Sequence, residues 1–196
     1  MSMTSLAFTH GVYAAVGYKL TLPDGTVRNA VTNHVNLNHP KLIKDSVMIK
    51  SSESSALLLP EEVDNKSYIP YDKPLSDKFN WFEGYAAACA TFHGDGPKMV
   101  EIWTTQPNTA RNLQILLVSM GLLPDVYGPS KDVTGHQAGH QWVLRLGSAD
   151  VNTLHKNGFG WPRAGISMPL ILSGTIAKQR LDDGEEIDAL TIRDTL

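Results

Sequence analysis

The sequence feature that most constrains the fold is a short pattern of aromatic, glycine and small residues that occurs twice. The first copy covers residues 8–17 and reads FTHGVYAAVG, and the second covers residues 81–90 and reads WFEGYAAACA. In each copy a glycine follows an aromatic residue by three positions, and a second aromatic residue comes within two more. The copies lie too far apart to be neighbouring units of a solenoid. The pattern therefore predicts an internal duplication, with one equivalent helix in each half.

The segments after each copy predict antiparallel strands and further helices. Residues 18–22 alternate in polarity, and the turn sequence PDGT at 23–26 leads into a hairpin partner at 27–31. Further strands are expected at 46–50, 98–104, 126–127 and 141–146, and helices are expected to start at side-chain caps on Ser76 or Asp77, on Asn108 and on Ser148. Each half then reads approximately as helix, hairpin, helix, strand, strand, which is an α+β arrangement.

Proline content predicts where the two halves meet. Pro60, Pro70 and Pro74 all fall within residues 60–74, which we interpret as a linker. The expected organisation is a first repeat at 1–59, the linker at 60–74, a second repeat at 75–160 and a C-terminal extension at 161–196.

Composition indicates a globular protein of the cell interior. The 196 residues are 42% hydrophobic and 19% charged, which is typical of a folded domain. No apolar run reaches the length of about 18 residues that suggests a membrane span. The first residues lack the basic region of a secretory signal, and a single cysteine fits a reducing compartment. We therefore expect an intracellular, cytoplasmic protein with no membrane association.

Charge is distributed unevenly along the chain. Residues 181–196 carry six acidic side chains and one basic side chain, Arg193, so their net charge is −5. Because the whole chain is at −3, residues 1–180 carry +2. A mildly basic body permits phosphate contacts without requiring them. The acidic segment is open to three interpretations: a solvated tail, a docking element for a protein partner, or a segment that lies back on the basic body and competes with nucleic acid.

The duplicated helix resembles the paired helices of LAGLIDADG homing endonucleases. The second half is the better match, with the helix, turn and strand from residue 75 followed by the Leu-rich segment 108–121 and the strand at 141–146. The resemblance covers roughly residues 5–160. It implies two pseudo-symmetric αββαββα halves, with antiparallel sheets that form a saddle, in a monomer that contains an internal pseudo-dimer.

The same resemblance implies that cleavage chemistry has been lost. In active family members each of the two helices ends in an Asp that binds a divalent metal ion, but here Val16 and Cys89 stand at those positions. A valine side chain cannot bind Mg²⁺, and a thiolate is too soft a ligand for it. Asp24 and Asp95 are near these positions, but both lie in turn sequences. We expect no catalytic residues, no metal and no cofactor.

The family relationship further implies that the saddle contacts nucleic acid. The strand residues expected to do so are Lys19, Arg28, Lys50, Lys98, Trp103 and Arg145. Trp103 is either a core residue or an exposed one; if it is exposed, it suits stacking on an unpaired base of single-stranded RNA. We expect a nuclease-dead nucleic-acid-binding protein, with RNA slightly favoured over DNA, of the repurposed kind that large phages carry.

Two other functions remain open. One is a protein-interaction module that uses the acidic residues 181–196, and the other is an active DNA endonuclease. Zinc binding by His136 and His140 is disfavoured, because glycines on both sides of this pair argue against the helix that would align the two rings.

Overall fold

The computed structural model describes residues 3–32, 41–42, 48–50, 55–93, 98–131, 140–160 and 186–188. The helices are α1 (Met3–Val16), α2 (Leu75–Cys89), α3 (Pro107–Ser119) and α4 (Ser148–Lys156). The strands are β1 (Tyr18–Thr21), β2 (Val27–Thr32), β3 (Met48–Lys50), β4 (Ser55–Leu58), β5 (Ala90–His93), β6 (Met99–Thr104), β7 (Asp125–Lys131), β8 (His140–Leu146) and β9 (Glu186–Asp188). The predicted α+β class is confirmed.

The two copies of the repeated pattern form α1 and α2, which pack against each other at their glycines. A Cβ atom at Gly11 would overlap the Trp81 carbonyl oxygen, and a Cβ atom at Gly84 would overlap the Phe8 carbonyl oxygen. The contact is reciprocal. Gly11 meets the backbone of Trp81, which is three positions before Gly84, and Gly84 meets the backbone of Phe8, which is three positions before Gly11. Only glycine permits so close a backbone approach. The aromatic–glycine spacing in the sequence is therefore the signature of a pseudo-twofold helix crossing.

Each helix leads directly into a separate sheet; all described strand pairs are antiparallel except β1 with β9. The first sheet has the strand order β3-β4-β2-β1-β9, and the second has the order β5-β6-β8-β7. β1 pairs with β2 across a turn in which the Thr26 N–H donates to Asp24 Oδ1 at 2.9 Å, so Asp24 has the expected turn role. The second half reads αββαββα in full. In the first half, residues 33–40 and 43–47 lie outside the described part of the chain. The 60–74 segment connects β4 to α2, and its role as a boundary between domains remains a prediction.

The side-chain caps expected at the helix starts are wrong. The N-cap residues are Pro74, Gln106 and Gly147, none of which makes a side-chain cap hydrogen bond. At α2 the Pro74 carbonyl oxygen accepts hydrogen bonds from the first turn instead. At α3 the first helical residue is proline, whose fixed φ suits that position and whose missing N–H needs no partner.

A buried carboxylate ties three distant segments together. The Glu83 side chain on α2 is 2% exposed, and it forms an ion pair with Lys41 and accepts a hydrogen bond from the Gly160 N–H at 2.7 Å. A buried charge is tolerated only when it is paired and hydrogen-bonded. Glu83 thus connects α2 to the first half and to the residues that follow α4.

Of the helices in the described ranges, none is both long and apolar enough to cross a bilayer.

His10 gives α1 a defined pH dependence. Burial is the largest influence on this imidazole and lowers its pKa below the ordinary value of 6.5. The unfolded chain therefore binds a proton before the folded chain does, so stability is complete above about pH 6.5 and declines as the pH falls. We expect the melting temperature to drop between pH 7.5 and pH 5.5 by more in the wild type than in His10→Phe, which keeps the ring packing on Tyr68 but cannot titrate. Equal drops in both proteins would contradict this assignment.

Candidate nucleic-acid interface

The ends of the two central helices are equivalent positions. Val16 is the last residue of α1 and lies five residues after Gly11, and Cys89 is the last residue of α2 and lies five residues after Gly84. The Cys89 thiol donates to the Tyr85 carbonyl oxygen at 3.2 Å, a bond within its own helix. Within the described residues, no group of three or more His, Cys, Asp or Glu side chains is arranged to hold a metal ion. Asp95, His136 and the other residues of 94–97 and 132–139 lie outside the described part.

The second sheet has one apolar face and one polar face. Val100 and Ile102 of β6, with Leu144 and Leu146 of β8, pack into the same core as α2, α3 and α4. Because neighbouring residues of a strand point to opposite faces, the residues between them point away from the helices. We call this side the outer face; its described members include Thr91, His93, Met99, Glu101, Trp103, Asp125, Tyr127, Gln141, Val143 and Arg145.

An ion-pair network organises the centre of the outer face. Glu101 is only 6% exposed, and its carboxylate accepts from Arg145 Nε at 2.8 Å and lies 3.1 Å from His93 Nε2. The hydrogen bond to Glu101 raises the pKa of the Arg145 guanidinium. Glu101 thus holds Arg145 in one orientation, and the side chain of Arg145 remains 41% exposed.

Two aromatic side chains flank Val143 on the outer face. Trp103 is directly opposite Val143 on one side, and Tyr127 is opposite Val143 on the other. Trp103 is 42% exposed and Tyr127 is 48% exposed, so the exposed alternative for Trp103 is the observed one. The Arg145 guanidinium carbon lies 5.0 Å from the centroid of the Tyr127 ring, which is a cation–π distance. The outer face therefore presents two aromatic platforms beside a fixed cation.

The predicted binding residues of the second half, Lys98, Trp103 and Arg145, belong to the second sheet or its immediate flank, whereas those of the first half belong to the first sheet. Lys98 is exposed immediately before β6, the strand that carries Trp103. Lys19 is exposed, but it pairs with Asn29, whose side chain accepts a hydrogen bond from Tyr13 of α1. Lys19 therefore lies on the side of the first sheet that faces α1. Arg28 is half-buried, and its guanidinium donates to the Leu59 carbonyl oxygen at 3.4 Å. Lys50, on β3, pairs with Ser55 on β4. The side chain of Lys50 lies outside the described part of the structure.

Among the residues that sequence reasoning missed are the three of the outer face that contact Arg145 or its partner Glu101: His93, Glu101 and Tyr127. Glu101 and Trp103 are two apart in a predicted strand, so strand alternation alone could have placed them on one face. Tyr127 lay in a predicted short strand, but no sequence signal gave its pairing with β8. The nucleic-acid role of the six predicted residues remains a prediction.

Comparison with known proteins identifies the fold. No protein-family model matches the sequence, and no curated protein matches it either. Among solved structures, I-DmoI in complex with DNA and manganese has a TM-score of 0.56 at 11% identity, over 82% of this chain and 99% of that one. The complex of I-DmoI with DNA and calcium has a TM-score of 0.53 at 12% identity, over 79% and 88%.

A third similar structure is the N-terminal LAGLIDADG domain of DUF199/WhiA. Its TM-score is 0.51 at 13% identity, and the match covers 83% of this chain and 86% of that one. Sequence identities at this level support a conclusion about the fold alone. Together with the reciprocal glycine crossing of α1 and α2 and the two sheets, they show that this chain has the LAGLIDADG fold.

Proposed function

We propose that this protein binds nucleic acid without cleaving it. The observation that carries the proposal is the outer face of the second sheet, where Trp103 and Tyr127 are exposed beside the fixed guanidinium of Arg145. Aromatic rings stack on bases, and guanidinium groups bind phosphate or stack on bases themselves. The I-DmoI structures that share the fold contain bound DNA, which supports a nucleic-acid ligand for this scaffold.

Between the two nucleic acids we favour RNA. Bases in duplex DNA are already stacked on one another, so they offer an exposed tryptophan little surface. Bases in single-stranded RNA can be splayed out and stacked on aromatic side chains. The weak positive charge of residues 1–180 adds support, because it suits a ligand held largely by stacking better than one held by many phosphates.

The proposal that cleavage is absent is supported by the side chains at the ends of the central helices. Val16 offers no oxygen ligand, and the Cys89 thiol is engaged with the Tyr85 carbonyl oxygen. Hard divalent ions such as Mg²⁺ require oxygen ligands. Purified protein is therefore expected to leave supercoiled plasmid and labelled RNA intact with either Mg²⁺ or Mn²⁺ present. Metal-dependent nicking that co-purifies with the protein, and that disappears in a Val16→Lys and Cys89→Lys double variant, would favour the endonuclease alternative.

The binding proposal is tested by fluorescence anisotropy of the full chain with single-stranded RNA, single-stranded DNA and duplex DNA at two salt concentrations. We expect the order of affinity to be single-stranded RNA, then single-stranded DNA, then duplex, with weaker binding at the higher salt concentration. No binding to any of the three near micromolar concentration would contradict the proposal. That result would favour the remaining alternative, a protein-interaction module that uses residues 181–196.

A further inference from the structure

The two halves of the molecule differ in what their sheets expose. The side of the first sheet that faces away from α1 carries Tyr18, Leu20, Ala30, Ala56 and Leu58 as one apolar cluster. All five residues are between 0% and 5% exposed. Burial raises the pKa of the Tyr18 hydroxyl, which has no hydrogen-bond partner among the described residues. This apolar cluster is therefore buried, whereas the corresponding outer face of the second sheet carries polar and exposed side chains.

The opposite side of the first sheet is also occupied. Val31 and Leu57 point towards α1 and pack with Phe8, Val12 and Tyr13. With α1 on one face and the apolar cluster buried on the other, the described part of the first sheet offers a strand of nucleic acid little open surface beyond the exposed side chains of Lys19 and Val27.

β1 does not lie at the edge of the first sheet. β9 pairs in parallel with β1, in a register that sets Glu186 opposite Lys19 and Asp188 opposite Thr21. This segment belongs to the acidic residues 181–196. An acidic strand alongside β1 repels phosphate. The same pairing covers the edge of β1, so β9 is the edge strand on that side of the sheet.

Among the described residues, these observations leave the second sheet as the more accessible of the two. Four strands spaced by about 4.8 Å give it a width of about 14 Å, and its longest strands reach about 20 Å. Trp103 and Tyr127, on strands two apart, have backbones separated by about 10 Å. The surface offers two stacking positions and a few cationic side chains, which suits a short segment of single strand.

We infer that the second sheet alone holds the nucleic acid, as a single-stranded segment of about four to six nucleotides, at the low end of the site sizes of aromatic-lined binding sheets. This inference rests on the proposed function. It assigns the bound bases to Trp103 and Tyr127, and it assigns no nucleic-acid contact to Lys19 or Arg28 on the first sheet.

The first test is a length series. Anisotropy competition measures the affinity of the full chain for oligouridine of 2, 4, 6, 8, 12 and 20 nucleotides, lengths chosen to span roughly the expected site size. Oligodeoxythymidine and a duplex of about 20 base pairs are measured in parallel. We expect the affinity per site to level off at about six nucleotides. A continued rise up to 20 nucleotides, or binding that only the duplex shows, would overturn the inference.

The second test compares two double variants with the same change in charge. Lys98→Gln with Arg145→Gln alters the second sheet, and Lys19→Gln with Arg28→Gln alters the first. We expect the former to weaken oligouridine binding and to lower the slope of log affinity against log salt by about 1.4, at about 0.7 per lost phosphate contact on a single strand. The latter should change the affinity by less than about twofold, which is within the range of screened surface charges.

A loss of affinity in the first-sheet variant as large as that in the second-sheet variant would contradict the inference. Because removal of Arg145 leaves the buried Glu101 short of a partner, Tyr127→Ser serves as a second variant on the same face, and melting curves check that each variant is folded. No binding of any oligonucleotide by wild-type protein refutes the proposed function itself. Tight binding spread over both sheets refutes only the restriction to one sheet.

Discussion

Replacing Gly84 with alanine is expected to destabilise the protein by about 3 kcal/mol or more. The new methyl group would occupy the position of the Phe8 carbonyl oxygen, so the two central helices would have to move apart. The cost is large because the obstacle is backbone, which cannot rotate away as a flexible side chain can. Urea denaturation followed by circular dichroism measures the loss.

The matched control for this variant is Gly147→Ala. A Cβ atom at Gly147 would meet nothing within 4 Å, and the φ of this residue is −81°, which any residue adopts. We expect it to lower the free energy of unfolding by about 1 kcal/mol or less, because alanine is a poorer N-cap residue than glycine. Gly11→Ala should behave like Gly84→Ala, because the contact is reciprocal. Full stability of Gly84→Ala would show that α1 and α2 do not cross at these glycines.

Replacing Trp103 with alanine is expected to weaken binding of single-stranded RNA by about 5- to 150-fold. The range corresponds to the 1–3 kcal/mol that stacking of one base on an aromatic side chain contributes. Trp103→Phe should recover part of the affinity, because phenylalanine keeps a smaller stacking surface. Anisotropy titration with labelled oligouridine at fixed salt measures each dissociation constant.

Tyr71 provides the matched control for this prediction. It is an exposed aromatic residue, like Trp103, and each is 42% exposed. However, it precedes α2 and donates a hydrogen bond to the Asn112 carbonyl oxygen of α3, on a different element from the outer face. Tyr71→Ala should leave the affinity within about twofold of wild type, as a surface change outside a binding site does. Equal losses in Trp103→Ala and Tyr71→Ala would point to a general effect on the fold rather than to base stacking.

Much of the fold was predictable because its signals are local in the chain. The hairpin of β1 and β2 follows from alternating side chains around a Pro-Asp-Gly turn, and the central helices follow from the repeated aromatic–glycine spacing. The helix caps were not predicted correctly, because the capping side chains suggested by sequence compete with proline and with backbone carbonyls at the same ends. Propensity rules describe each residue separately, whereas a helix start depends on several residues at once.

The candidate site was predicted only in part, for a different reason. Trp103, Lys98 and Arg145 were assigned from strand patterns, but a pattern cannot decide whether a face of a sheet is open or buried. Lys19 and Arg28 follow the same pattern, yet their sheet packs against α1 on one face and carries a buried apolar cluster on the other. Which sheet is accessible depends on what packs against it, and that packing involves residues far away in the chain.

The sequence by itself determined the duplicated helix and the absence of carboxylates at Val16 and Cys89. These properties belong to side chains at defined spacings, so no long-range contact is needed to infer them. Only the tertiary structure decided that the halves are unequal, because an acidic strand beside β1, a buried apolar face and the Glu101–Arg145 pair each join segments that are distant in sequence. Burial and pairing depend on how distant segments pack together, so two similar sequence repeats have sheets with different exposed surfaces.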